Sequence, residues 1–257
     1  MAARAQRQRS VLVTGAARRI GAALVRALAE DGWTTILHYH RSERDALHLA
    51  DALAREGHRC VPIQADLSNP HEIQSLIPRI VEKAGPLDAL INNAAAFAYD
   101  NLASLTWESW QAHLLPNLAA PLFLSKHFAA SLPREREGVI INMVDQKVQG
   151  LNPDFLSYTL AKVGLDGLTR ILAMGLAPRI RVCGIAPGVT LRSGKQTPES
   201  FRRSWEAPPL GRSSTVEEIV AAVRFILQTP SMTGGVIVLD GGESLRKRPR
   251  DVAFDTP

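Results

Sequence analysis

The chain has 257 residues, 46% of them hydrophobic and 21% charged, which is enough apolar material for a sizeable core in one α/β domain. No run of about 18 apolar residues is present for a membrane span, and residues 1–10 carry arginines without the apolar stretch that export requires, so the expected location is the cytoplasm. The net charge of +5 does not mark a nucleic-acid-binding face: Arg4, Arg7, Arg9, Arg246, Lys247, Arg248 and Arg250 sit at the two ends against only Asp251 and Asp255, leaving 23 basic and 23 acidic residues between them.

Residues 1–9 and 246–257 read as basic tails, solvated or engaged in subunit contacts, flanking a body at 10–245. Within the body, short β-branched runs alternate with longer stretches of helical period. Strands are predicted at 10–14, 34–39, 60–64, 87–91, 139–143, 181–185 and 236–239, and helices at 19–31, 43–56, 71–83, 107–132, 155–176 and 215–228. Repeated βαβ units with strands this apolar imply a parallel sheet covered by helices on both faces. This is the doubly wound, Rossmann-type α/β architecture, in a single domain, which binds ligands beyond the carboxyl ends of its strands. The least regular segment, 189–211 with Pro198, Pro208 and Pro209, reads as a mobile lid over such a site. Cys60 and Cys183 fall in separate strand-like runs without metal-ligand spacing, so buried free thiols are expected and no metal site.

The first strand-to-helix turn reads Thr14-Gly15-Ala16-Ala17-Arg18-Arg19-Ile20-Gly21. Glycines at 15 and 21 suit a tight turn and close helix packing, while N–H groups at the helix start can meet a pyrophosphate. Arg19 stands where such turns usually carry a middle glycine; it either tops the helix as an exposed side chain or adds a fixed cation beside phosphate. The second strand ends His38-Tyr39-His40-Arg41-Ser42, with no acidic residue to grip a ribose 2′-hydroxyl, whereas Arg41 and Ser42 suit a 2′-phosphate. The expected cofactor is NADPH. Asp66, in Gln64-Ala65-Asp66-Leu67-Ser68, and Asn93, in Asn92-Asn93-Ala94, follow the third and fourth strands. Each alone is an ordinary turn or cap residue. Together at the ligand-facing edge they look like cofactor contacts.

The predicted 107–132 helix contains Pro116 and Pro121. In a regular helix residue 121 donates to the carbonyl of residue 117, and proline has no N–H, so the Asn117 carbonyl is freed, as Pro116 frees that of Ala112. The helix should be kinked, unless Pro116 begins a new one. Further on, Tyr158 and Lys162 stand at i and i+4 on one helix face, where the ammonium can hold the phenol oxygen in a hydrogen-bonded array and lower its pKa from about 10. The spacing alone is weak, because chance produces it in many long helices. Asp145 lies thirteen residues before Tyr158. A carboxyl there can accept from the donors of an aminopyrimidine-type ring, or pass on a proton if burial raises its pKa, which points to a heterocycle rather than a simple ketone. The plain alternative is a turn or cap aspartate after a strand.

Assembled, these residues resemble the short-chain dehydrogenase/reductase family, and within it the pteridine reductases, over about residues 10–245. The resemblance rests on Thr14 to Gly21 with arginine in the middle-glycine place, on the 38–42 run, on Asn92-Asn93-Ala94-Ala95-Ala96-Phe97, on Ile140-Ile141-Asn142-Met143-Val144-Asp145 with aspartate where serine is usual, on Tyr158 to Lys162, and on Leu239-Asp240-Gly241-Gly242. It implies about seven strands, a homotetramer, and hydride transfer from NADPH to a pterin or dihydropterin ring. By position it implies that Gly15, Arg19, Ile20, Gly21, His40, Arg41, Ser42, Asp66, Leu67, Asn93 and Ala94 hold the adenosine and phosphates. Tyr158 and Lys162 would flank the nicotinamide ribose, and Pro187, Gly188 and Thr190 would meet the nicotinamide end. Phe97 would stack on the substrate ring, or else be a core aromatic beside a loop.

NADPH supplies a hydride but no proton. The resemblance implies Tyr158 as proton donor, assisted by Lys162 and Asp145, and Asn117 as the holder of a water that links the lysine to solvent. Ala95, where the pteridine reductases tend to have a serine, and Pro116, where they can offer a cofactor-contacting side chain, are departures that bear on substrate fit. Three functions are compatible with these residues: a pterin reductase, a short-chain reductase of an unrelated carbonyl, and an NADPH-sensing protein without efficient chemistry.

Overall fold

The computed structural model describes residues 8–194 and 196–254. In chain order, β1 (Ser10–Val13), α1 (Arg19–Glu30), β2 (Thr34–Tyr39), α2 (Glu43–Arg55), β3 (Cys60–Gln64), α3 (Pro70–Ala84) and β4 (Ala89–Asn92) build the first half. After α4 (Trp107–Leu114) and α5 (Ala120–Ser131) come β5 (Gly138–Met143), α6 (Leu156–Leu176), β6 (Ile180–Pro187), α7 (Pro198–Glu206), α8 (Val216–Gln228) and β7 (Val236–Leu239). The strands form one seven-stranded sheet in the order β3-β2-β1-β4-β5-β6-β7, with every neighbouring pair parallel. Chain order reverses between β1 and β4, the place where open sheets of this kind bind ligands beyond their strand ends.

Alternation within the strands feeds two cores. Val11 and Val13 of β1 point to one face, where Leu24, Val25 and Leu28 of α1 meet Ile219, Val223 and Ile226 of α8. Leu12 points to the other, under Ile73, Ile77 and Ile80 of α3 and Leu124 and Phe128 of α5. Each such fully buried aliphatic side chain contributes roughly 1.5–3 kcal/mol. Helix starts carry their own signals: Asn69 accepts from the His71 N–H ahead of Pro70, and Thr215 and Glu218 cap α8 reciprocally.

Two expectations need revision and one refinement. The chain does not restart at Pro116; Leu114, Leu115 and Ala119 all keep helical dihedrals, and α4 runs into α5 through a π-helical turn at Leu115–Ala119. Missing proline donors favour this wider turn over a break. The irregular 189–211 segment contains α7, whose start is capped by Thr197 accepting from Ser200 N–H. Finally, the C-terminal stretch is exposed at Arg246, Lys247 and Arg250 but docks at its end, where Asp251 and Val252 are buried and Phe254 packs on Tyr99 and Phe155. At the other end, the Arg9 guanidinium lies 4.2 Å over the Trp33 ring, while residues 1–7 of the expected N-terminal tail lie outside the described residues. Cys60 and Cys183 are free thiols, the second buried and the first partly so.

His38, at the end of β2, ties three strand ends together. Its Nδ1 accepts from the Gly15 N–H at 3.0 Å, and its Nε2 lies 3.0 Å from the Ala65 carbonyl after β3. That pattern requires a neutral ring protonated on Nε2, and burial pulls its pKa from 6.5 down to about 4. A depressed folded-state value means the interaction is intact above the unfolded pKa of 6.5 and is lost as pH falls toward 4. Relative to His38→Gln, which keeps both bonds without titrating, the wild type should lose about 2.5 kcal/mol more stability between pH 7 and pH 4.5. Urea unfolding at the two pH values measures this, and equal losses in both proteins would contradict it.

Candidate active site

Because all seven strands are parallel, their carboxyl ends share one edge, and most of the sequence-predicted residues lie along it. Gly15 has φ +62 and an added Cβ would stand 2.9 Å from the Ala94 Cα; one on Gly21 would stand 2.3 Å from the Gly15 carbonyl oxygen. No side chain fits either place. Asn93 locks this turn, donating from Nδ2 to the carbonyls of Thr14 at 2.8 Å and Gly15 at 3.2 Å, while Thr14 Oγ1 accepts from the N–H groups of Asn93 and Ala94 at 2.9 Å. Helix α1 starts with no side-chain cap and no acidic residue in its first turn, so its end amides and positive dipole end suit an anion. Ile20 is partly buried behind them.

Arg19 adopts φ +57, and its guanidinium reaches across to the main-chain carbonyls of Arg192 at 2.7 Å and Leu191 at 3.4 Å. It therefore bridges the first turn and the segment after β6, a contact that neither sequence reading anticipated. Along the edge, His40 Nε2 lies 3.5 Å from Asp66, whose Oδ1 accepts from the N–H and hydroxyl of Ser68. Burial pushes the Asp66 pKa up, but the two Ser68 bonds and the His40 and Arg41 charges outweigh it and hold the carboxyl below its usual range. Arg41 is exposed, Leu67 is buried, and Ser42 opens α2 without spending its hydroxyl on a cap bond. Past Pro187, an added Cβ on Gly188 would stand 2.5 Å from Ser213 Oγ, and Thr190 Oγ1 bonds the Gly188 carbonyl at 3.0 Å and Ser214 Oγ at 2.6 Å.

Helix α6 carries the reactive pair. Its first turn is held from a distance by Asp100, which accepts from the Ser157 N–H at 3.0 Å, and its middle by a buried relay in which Asn92 donates to Asn142 and Asn142 donates to Thr169. These fix α6 against β4 and β5. Tyr158 donates its phenol proton to Asp145 Oδ2 at 2.6 Å, and Asp145 Oδ1 accepts from the Lys147 N–H at 2.8 Å. Lys162 is buried and donates from Nζ to the Met143 carbonyl at 2.6 Å.

The electrostatics follow from burial. Desolvation raises the Asp145 pKa against the bonds from Tyr158 and Lys147. Desolvation and the adjacent carboxyl push Tyr158 well above 10, and desolvation pulls Lys162 down to about 8, partly offset by Asp145. The expectation that Lys162 lowers the Tyr158 pKa is not met. The ammonium sits 5.6 Å from the ring centroid and bonds a carbonyl, whereas the oxygen nearest the phenol belongs to Asp145. The phenol thus keeps its proton, poised between a carboxyl and the cleft.

Asn117 emerges from the π turn with both side-chain ends committed: Nδ2 donates to the Ala96 carbonyl and Oδ1 accepts from the Ala96 N–H, each at 2.9 Å. This clamp sets the loop leading to Phe97, and Pro121 has no N–H to offer the Asn117 main-chain carbonyl. Phe97 is 47% exposed, stacked on Phe155 at 4.5 Å with 15° between the planes, and edge-on to Tyr158 at 4.8 Å. It is a ring with an open side, not a core aromatic. Ala95, which precedes the clamp, is exposed. Sequence reasoning missed His38, Thr14, Asp100, Ser214 and Lys147 as organising residues. Their partners lie 23 to 79 positions away in several cases, and no local pattern encodes such a pairing.

The sequence profile of the family described as Enoyl-(Acyl carrier protein) reductase matches residues 15–244. Pteridine reductase 1 of Leishmania tarentolae is 35% identical over 280 residues, covering 92% of this chain and 96% of that protein. The 3-oxoacyl-[acyl-carrier-protein] reductase of Synechocystis sp. is 30% identical over 235 residues, with 90% and 95% covered. Among solved structures, FolM alternative dihydrofolate reductase 1 from Brucella canis, complexed with NADP, superimposes with a TM-score of 0.90 at 39% identity over 93% of this chain and 95% of that one. With its 3-2-1-4-5-6-7 parallel sheet and its Tyr158–Lys162 helix, the chain belongs to the short-chain dehydrogenase/reductase family of oxidoreductases.

Proposed function

We propose that this enzyme reduces a pterin or dihydropterin ring with NADPH. The observation that carries the reading is the partly buried 2.6 Å hydrogen bond from Tyr158 to Asp145 beside the half-exposed ring of Phe97. A ketone requires one proton donor. A pterin also presents ring and exocyclic nitrogens, which a carboxyl can accept from, and a flat π surface that Phe97 can cover. The likeness to Pteridine reductase 1 and to FolM supports this choice.

The edge residues fit the cofactor. The side-chain-free turn at Gly15 and Gly21 and the uncapped start of α1 suit a pyrophosphate, with Arg19 as counter-charge and Asn93 and Ala94 as its wall. His40, Arg41 and Ser42 suit the 2′-phosphate, Asp66 and Leu67 the adenine, and Pro187, Gly188 and Thr190 the nicotinamide end. When bound, NADPH supplies the hydride. Lys162 orients the ribose and carries positive charge beside it. Tyr158 holds the proton destined for the ring nitrogen, Asp145 orients the phenol and recognises the ring, and the Asn117 clamp fixes Phe97.

Residues 10–245 are read as a single reductase domain, its loop at 189–211 closing over substrate. The apolar outward faces of α5 (Leu122, Phe123) and α6 (Leu160, Val163, Ile171, Met174) are read as contacts between copies in a homotetramer. Two free thiols and the absence of any helix long and apolar enough to cross a membrane among the described residues suit a cytoplasmic enzyme. The runner-up is reduction of an unrelated carbonyl, favoured by the likeness to 3-oxoacyl-[acyl-carrier-protein] reductase and by Ala95. A sensor without chemistry has no physical need for Asp145, Tyr158, Lys162 and Asn117 together.

NADPH absorbance should fall on adding dihydrobiopterin or dihydromonapterin. Asp145→Ser should cut kcat/KM for them by about 100-fold or more while NADPH still quenches tryptophan fluorescence at a similar Kd. Wild-type turnover of ketones but of no pterin sinks the substrate assignment, and equal activity in both proteins removes Asp145 from the chemistry. The pH profile is a separate check. Lys162 titrates at about 8, so its ammonium is lost as pH rises through that value. kcat/KM should then fall by about tenfold per pH unit, and a profile flat to pH 10 would contradict the role given to Lys162.

A further inference from the structure

Lys147 is a buried cation that the chemistry above does not use. Its Nζ donates to Asp251 Oδ2 at 2.5 Å and to Asn152 Oδ1 at 3.0 Å, and lies 5.3 Å from the Phe155 ring centroid. Its side chain is only 4% exposed, so a removed partner would leave a charge without water to solvate it. The same residue's N–H is the one that holds Asp145 Oδ1. One residue therefore faces the reactive carboxyl with its backbone and the chain's C-terminal segment with its side chain.

Two further contacts come from that segment. Asp154, almost wholly buried, accepts on Oδ2 from Arg250 Nε at 2.7 Å and from the Asp251 N–H at 2.8 Å. Phe254 lies edge-on to Tyr99 at 5.1 Å and stacked near Phe155 at 5.9 Å, and Phe155 in turn is the ring on which Phe97 stacks. Phe155 itself sits at φ +55, a conformation a bulky residue keeps only when its surroundings hold it. The stretch from Asp145 to Phe155 carries the carboxyl at one end and the base of the aromatic stack at the other. Arg250, Asp251 and Phe254 each fasten it from outside, beside the Tyr99 hydroxyl on Asp154 Oδ1 and the approach of Ser244 to Gly150.

We propose that Arg250, Asp251 and Phe254 are positioning residues of the active site: the chain's own C-terminal segment clamps the 145–155 loop and so sets the place of Asp145 and the tilt of Phe97 against substrate. The proposal rests on the reductase reading for the identity of the substrate, and on the contacts alone for the clamp.

The test compares the wild type with Asp251→Asn, Phe254→Ala and the conservative Asp251→Glu. Hydrogen exchange, with no substrate present, should quicken about tenfold or more for amides within 145–156 in the first two variants and stay unchanged at 10–21. With whichever dihydropterin the wild type reduces, KM should rise about tenfold and kcat change less, the NADPH Kd should hold, and Asp251→Glu should recover most of the loss. Phe254 is partly exposed, so its variant keeps the test alive if Asp251→Asn fails to fold. Wild-type exchange in both variants, faster exchange spread over the whole chain, or altered exchange with an unchanged KM would each overturn the proposal. A wild type that reduces no pterin would fail the substrate reading separately, and the exchange measurement would still decide whether the segment is a clamp.

Discussion

A carboxyl, a phenol and an ammonium share one small volume, the phenol and ammonium buried and the carboxyl partly so, and each finds a protein partner there. Asp145 and Tyr158 answer for each other, Lys162 turns to the Met143 carbonyl, and the backbone of Lys147 takes the remaining carboxyl oxygen. Much of the surrounding architecture maintains that solution. The Asn92–Asn142–Thr169 relay keeps α6 in register with the strand that delivers Asp145, and Asp100 holds the start of α6 from outside the helix. An aspartate in this place binds the phenolic proton more firmly than a serine would.

The parallel sheet supplies the second constraint. Strands that all end on one edge deliver seven loops to a common line, and glycines 15, 21 and 188 remove side chains where backbone must approach closely. His38, at the end of β2, joins the loops at Gly15 and Ala65, which is why its neutral state matters to the fold. Arg19 closes the line by reaching the segment after β6, so the first turn and that segment share one side chain.

Much of this was legible in the sequence. The alternation of apolar runs with helical stretches located the strands and most helices to within a few residues, because a strand buried on both faces has little freedom of composition. The motif residues at 14–21, 38–42, 92–97, 145 and 158–162 fell on one edge because each follows a strand or opens α6. What was not legible came from distance. Nothing near Tyr158 announces that Asp145, and not Lys162, governs its proton, since the lysine's choice of the Met143 carbonyl depends on how α6 packs on β5. The 246–257 stretch read as solvated or in subunit contacts because it is basic, and its arginines are indeed exposed at 246 and 250, yet Asp251 finds Lys147 some hundred positions away. Pro116 and Pro121 spoke for a disrupted helix but did not distinguish a break from the π turn that forms.

The direct measure of the central claim is the ultraviolet titration of the Tyr158 phenol in the cofactor-free enzyme, isolated from the other two tyrosines, Tyr39 and Tyr99, by difference against Tyr158→Phe. A phenol that ionises only above pH 10, and at lower pH once Asp145 is replaced by Asn, is the predicted result. A wild-type phenol ionising below 10, or one indifferent to Asp145, would contradict it.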